Sequence, residues 1–188
     1  MAIRIYIDQG HNPQNPNAGA EGNGLREQDI VFRIGLLLAD LLLSNGNFEV
    51  RLSRPSQSTQ LGTSTASSLA ARVNQANSWG ADYFLSLHTN ASDNSAATGI
   101  EAYAFSRPSA AFTLGEIILE ELNETTGLRN RGMQVRTNLY VLRRTQMPAV
   151  LIELGFITNP RDAALMSDRP DLFAQGIYNG LLRYLDLN

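Results

Sequence analysis

The chain predicts one α/β domain spanning residues 1–188, built on a largely parallel sheet with helices on both faces. Short apolar runs alternate with stretches of helical periodicity along the whole length. With 188 residues, 43% of them hydrophobic and 18% charged, the chain has enough material for one well-cored unit. No internal repeat and no linker breaks the pattern.

Five apolar runs read as strands, around residues 2–8, 48–53, 82–88, 99–105 and 148–154, and a weaker run covers residues 139–142. Between the first two, residues 25–44 place Ile30, Val31, Ile34, Leu37, Leu38, Leu41 and Leu42 on one helical stripe, with Gly46 as the stop. A second helix, about 67–79, has Ser67 or Ser68 as its cap and Leu69, Val73 and Ala76 on one face. The third starts near Pro108, carries Phe112, Ile118, Leu119 and Leu122, and ends around Gly127. Asn159-Pro160 and Asp168-Arg169-Pro170 each read as a cap followed by an early-turn proline, opening two final helices. Residues 12–24, 54–66 and 90–98 are the polar, turn-rich loops.

Composition excludes several classes. A net charge of -3 and no Lys/Arg run leave no footprint for nucleic acid. Without cysteine there is no disulfide, thiolate ligand or thiol nucleophile. No run approaches the roughly 18–20 apolar residues of a transmembrane helix. The first residues lack the features of a secretory signal, so no export signal is expected in this chain.

Both histidines, His11 and His88, follow apolar strands, at the sheet edge where open α/β folds bind ligands. A lone histidine is usually just a satisfied hydrogen-bonding group, but a shared placement favours a joint role. Glu27 opens the first helix, where a carboxylate also suits the helix dipole. Glu21, in the preceding loop, is the rival third ligand. Two imidazoles and a carboxylate with a fourth position open is a standard arrangement for catalytic zinc. Glu153 interrupts the apolar run Ala149-Val150-Leu151-Ile152, and burying it unpaired is costly. Either an arginine pairs with it, or it is tuned as a general acid/base. Asp8, three residues before His11, reads as orienting a ligand imidazole or a loop amide.

Four segments, in order, resemble the zinc-dependent N-acetylmuramoyl-L-alanine amidases of the amidase 3 type. They are Ile7-Asp8-Gln9-Gly10-His11, Gly24-Leu25-Arg26-Glu27, Ser86-Leu87-His88-Thr89-Asn90-Ala91 and the run from Val150 through Glu153 to Pro160. Leu69-Ala70-Ala71-Arg72-Val73-Asn74, Arg131-Gly132-Met133 and Leu139-Tyr140-Val141-Leu142-Arg143 also resemble family segments, so the similarity covers nearly the whole chain. The resemblance implies a twisted six-stranded sheet, Zn2+ held by His11, Glu27 and His88, and Glu153 as the catalytic glutamate. It implies hydrolysis of the amide between the lactyl group of N-acetylmuramic acid and L-alanine, with zinc activating a water and Glu153 as base, then acid. Arg72, Asn74 and Asn90 are candidates for hydrogen bonds to substrate or around the site. Gln9 stands where the family usually has proline, a difference in loop geometry that leaves every ligand in place.

Some relatives insert a regulatory helix after the strand at 99–105, but here only Ser106-Arg107 precede Pro108, which implies a site not occluded by its own chain. The implied partner is peptidoglycan, met at the bacterial cell wall outside the membrane, with a monomer as the default. The competing readings are another zinc amidohydrolase or carboxypeptidase, which would need a carboxylate-recognising arginine, and a wall-binding module with a vestigial site. A serine hydrolase is disfavoured by the absence of a Gly-x-Ser-x-Gly elbow.

Overall fold

The computed structural model describes residues 2–187. In chain order the elements are β1 (Ile3–Gln9), β2 (Glu21–Gly22), β3 (Leu25–Arg26), α1 (Glu27–Asn45), β4 (Phe48–Leu52), α2 (Thr65–Trp79), β5 (Tyr83–Asn90), β6 (Ile100–Ala104), α3 (Ala110–Thr126), β7 (Asn130–Val135), α4 (Tyr140–Arg144), β8 (Ala149–Phe156), α5 (Pro160–Asp168) and α6 (Pro170–Leu185). Six strands form one sheet in the order β4-β1-β5-β8-β6-β7, while β2 and β3 form a small antiparallel pair. Neighbours in the large sheet are parallel except β8 and β6. The expected mostly parallel six-stranded sheet is therefore present.

Strand alternation sorts the side chains onto two unequal faces. Ile5, Ile7, Leu85, Leu87, Val150, Ile152, Ile100 and Ala102 point into the larger core, packed against α1, α3 and α6. Tyr6, Phe84, Leu151, Ala149 and Tyr103 point the other way, into a smaller cluster with Val73 and Ala76 of α2 and Val141 and Leu142 of α4. Asp8, Ser86, His88, Glu153 and Glu101 share the alternation of this second set. On this thinner side the apolar cover ends at Leu151, which leaves the next position on that face, Glu153, beyond it.

The chain leaves β1 toward β4 on one side and later places β5 on the other, so a topological switch point falls between β1 and β5. Their carboxyl ends form the crevice where such folds bind ligands. His11 and His88 come from these two ends.

Four sequence expectations are corrected. The sixth strand is β7, not residues 139–142, which form the helical turn α4 and the residue before it. β7 is an edge strand with a polar sequence, Asn-Arg-Gly-Met-Gln-Val, and lacks the apolar signature of its neighbours. Helix α2 begins earlier than expected: its cap is Ser64, whose side chain accepts from Ser67 N in a reciprocal capping box. Pro108 precedes the cap of α3, Ser109, and Arg169 rather than Asp168 occupies the N-cap of α6.

Candidate metal centre

The loop after β1 turns sharply, with His11 itself at φ 65 in the left-handed region. Gly10 precedes it, and a Cβ there would lie 2.5 Å from the His88 ring and 2.6 Å from Leu87 O. A Cβ on Gly19 would similarly stand 2.8 Å from Glu27 Oε2. Two missing side chains thus make room for His11, Glu27 and His88.

The main chain of this turn is held by Arg72 of α2. Its terminal nitrogens donate to Gln9 O at 2.8 Å, His11 O at 2.5 Å and Asp8 Oδ1 at 2.5 Å. Ser86 Oγ donates to the other Asp8 oxygen at 2.8 Å. Burial opposes ionising Asp8, but the Arg72 charge and hydrogen bond, with help from Ser86, hold its carboxyl below the usual range. Asp8 therefore orients neither an imidazole nor a loop amide directly: it fixes Arg72, which fixes the loop carbonyls. Gln9 also has a structural use. Its N–H donates to Ser53 Oγ at 3.0 Å, and its Oε1 accepts from Arg54 N at 2.9 Å. Proline could supply neither contact.

His11 Nε2 and His88 Nδ1 each lie 3.1 Å from Glu27 Oε1, and the two rings meet edge to face at a centroid distance of 4.9 Å. Backbone amides fix the carboxylate: Thr89 N donates to Oε1 and Ala20 N to Oε2, both at 2.9 Å. Burial raises the Glu27 pKa, but hydrogen bonds and charge from His11 and His88 outweigh it and hold the group well below the usual carboxylate range. Glu21 lies in β2, its side chain 70% exposed and 3.9 Å from Arg26, so it is outside the cluster.

One ligand atom from each of His11, Glu27 and His88 falls within 4.8 Å of the others. A tetrahedral ion with ligands at about 2.0–2.1 Å places them about 3.3 Å apart, close to the two 3.1 Å separations here. The nitrogen and oxygen donor set, with Glu27 kept anionic, fits Zn2+.

Glu153 faces His88 in register from β8. Its Oε2 is buried with no hydrogen-bond partner among the described residues, and no arginine pairs with it. Burial, reinforced by the negative charges of Glu27 and Glu101, pushes its pKa up to about 8. Across the antiparallel boundary, Glu153 is paired in register with Glu101 of β6. Glu101 accepts from Tyr103 Oη at 2.5 Å, Asn90 Nδ2 at 2.7 Å and Arg131 Nε at 2.9 Å. Burial raises its pKa, but these hydrogen bonds and the Arg131 charge lower it further, leaving it below the ordinary value.

Sequence reasoning missed Glu101 and Arg131 as members of the site. The signal was present: Glu101 sits between Ile100 and Ala102, an acidic residue in an apolar strand, as Glu153 does. Of the other candidates, Arg72 braces the loop, and Asn90 braces Glu101 while accepting from Ala91 N. Asn74 is exposed on α2, outside the cleft.

A cleft of about 120 Å³ adjoins the histidines, lined on its far side by Leu69, Leu139, Tyr140, Val141 and Leu151. A roomier cavity, about 570 Å³, lies at the opposite strand ends. There Arg4 satisfies both acids, pairing with Glu49 at 3.2 Å and donating its N–H to Asp82 at 2.8 Å, so unpartnered chemistry rather than volume marks the site. Only residues 105–109 join β6 to α3, and no helix is inserted there.

The family model for N-acetylmuramoyl-L-alanine amidase matches residues 5–183. The chain is 39% identical over 190 residues to the N-acetylmuramoyl-L-alanine amidase CwlM of Bacillus licheniformis, covering 99% of this chain and 70% of that protein. It is 38% identical to LytC of Bacillus subtilis over 96% of this chain, but spans only 35% of that longer protein. The catalytic domain of CwlV from Bacillus (Paenibacillus) polymyxa var. colistinus superposes with a TM-score of 0.86 at 32% identity, covering 99% of each chain. The CwlD amidase of Clostridioides difficile, solved with the GerS lipoprotein, gives 0.90 at 28% identity, covering 99% of this chain and 100% of that one.

Proposed function

The chain belongs to the N-acetylmuramoyl-L-alanine amidase family, and from that premise we propose that it hydrolyses the amide between the lactyl group of N-acetylmuramic acid and the L-alanine of the stem peptide. The observation that carries the chemistry is an unpartnered buried carboxylate, Glu153, facing a His/Glu/His trio whose donors converge.

His11, Glu27 and His88 would hold Zn2+. When bound, the ion supplies Lewis acidity that polarises the scissile carbonyl and makes a water easier to deprotonate. Glu27, fixed by two backbone amides, contributes a ligand charge that needs no reorganisation. Glu153 has a free oxygen and no competing cation, so it can take the proton from the attacking water. It then delivers that proton to the departing L-alanine nitrogen, ending as it began. A group whose pKa lies near neutrality can do both halves of this cycle, and Glu153 is shifted into that range. With Zn2+ held by the trio offsetting the negative charge of Glu27, Glu153 would favour its ionised form and so its role as base. Arg72, held by Asp8, keeps the His11 main chain in place throughout.

Residues 1–188 act as one catalytic domain, a monomer whose partner is peptidoglycan and whose place of action is the bacterial cell wall outside the membrane. No helix among the described residues is long and apolar enough to cross a membrane. The test is digestion of purified peptidoglycan by zinc-loaded protein, with and without chelator, read by mass spectrometry and zinc analysis. Zinc-dependent appearance of a new L-alanine amine and a free lactyl carboxylate is the expected outcome. Release of a residue from the far end of the stem peptide, with the lactyl amide intact, would instead establish a carboxypeptidase.

A further inference from the structure

We propose that Arg131 is a specificity residue, which anchors a free carboxylate on the second residue of the stem peptide and so selects which peptides are cleaved fastest. This rests on the amidase reading above. His88, Glu153 and Glu101 stand in register across β5, β8 and β6. The next strand, β7, pairs Asn130 with Ile100 and brings Arg131 alongside Glu101. These positions form a row across one face of the sheet, each step about 4.8 Å. The guanidinium reaches back one step to Glu101. Its distance from Glu153 is therefore one to two strand spacings, about 5–10 Å. An extended peptide advances about 3.3 Å per residue, so a chain whose first amine lies at Glu153 brings its second residue to Arg131.

The guanidinium is immobilised before any substrate arrives. Nε donates to Glu101 at 2.9 Å, Nη1 reaches Thr98 O at 3.4 Å, and the carbon centre lies 5.1 Å from the Phe156 ring centroid. The side chain is nonetheless 36% exposed, and no partner among the described residues takes its second terminal nitrogen. A fixed, half-open fork of donors is suited to a planar carboxylate. Glu101 is the strut: Tyr103 and Asn90 occupy its other oxygen, and its charge partly offsets that of Arg131. The expected discrimination is therefore about tenfold rather than a hundredfold.

The experiment compares two muramyl tripeptides that differ only in a carboxylate or a carboxamide on the second stem residue. For the zinc-loaded protein, kcat/KM is expected to favour the carboxylate about tenfold. In Arg131→Gln the ratio falls to about one, and in Arg131→Lys, which keeps charge without the fork, it takes an intermediate value. Calorimetric binding of both tripeptides to Glu153→Gln protein, with and without Arg131→Gln, reads the same preference without turnover. It therefore decides the anchor even if neither tripeptide is cleaved, an outcome that would overturn the amidase reading instead. A wild-type binding ratio near one, or a preference that survives Arg131→Gln, would show that Arg131 only braces Glu101 and would overturn the proposal.

Discussion

Glu153 and Glu101 are the same residue type, on adjacent strands, in register and on one face of the sheet, yet they sit in opposite conditions. Glu101 has three donors and is held ionised; Glu153 has a buried oxygen with no partner and holds its proton up to about pH 8. The difference teaches that burial alone does not set the protonation of a carboxylate. What separates the two is whether the fold has spent hydrogen bonds on the group or withheld them.

The sharpest test of this contrast is paired substitution. Glu153→Gln should cost about 10³-fold or more in kcat while zinc content, read by elemental analysis, is unchanged. Glu101→Gln should lose less than about tenfold, with the loss concentrated on acidic peptides. Comparable losses in both would show that the two carboxylates share one role.

A third carboxylate extends the comparison. Asp8 is buried and paired, and Arg72→Met leaves it so without its cation. Removing one partner of a buried pair typically costs about 3–5 kcal/mol, to be measured by urea denaturation of the metal-free protein. The same change releases the His11 carbonyl, so zinc affinity should fall with stability.

The two glutamates should also tilt the pH dependence of stability in opposite directions. The folded pKa of Glu153, about 8, lies above its ordinary 4.5, so the metal-free fold keeps a proton that the unfolded chain releases. Stability should fall as pH rises from about 4.5 to about 8, and Glu153→Gln should remove up to about 5 kcal/mol of that fall in denaturant titrations. For Glu101, whose folded pKa is lowered, the contribution is present above its ordinary value and is lost as pH falls through the lowered one. Glu101→Gln should flatten only this acid limb. Its cost near neutral pH should be smallest of all, about 1–2 kcal/mol for one charge-assisted hydrogen bond, and read as a modest drop in Tm.

The sequence marked His11, His88 and Glu153 because each is a polar group at the end of, or inside, an apolar strand, and Glu27 because it opens a helix after the loop that His11 begins. It marked Asp8, at the end of an apolar strand, but not its pairing with Arg72, which lies 64 residues away with nothing local to signal the contact. It also hid β7, where an edge strand tolerates Gly132 and polar neighbours, and it made 139–142 look like a strand. Four apolar residues satisfy either periodicity, and the packing of α4 against β8 and α2 decides for helix. Glu101 was legible by the rule that found Glu153, but its partners were not.

A consequence for motion follows from placing His88, Glu153 and Glu101 inside paired strands. Their backbone amides belong to the central ladder, the part of such a molecule that exchanges hydrogen for deuterium most slowly. The distances among these three groups are thus held by the sheet itself, and remodelling of the surrounding loops can change what enters the groove while leaving those distances alone. His11 differs from these three, being carried on the loop after β1. The Arg72 contact at its carbonyl ties that position to α2 and, through Asp8, to β1.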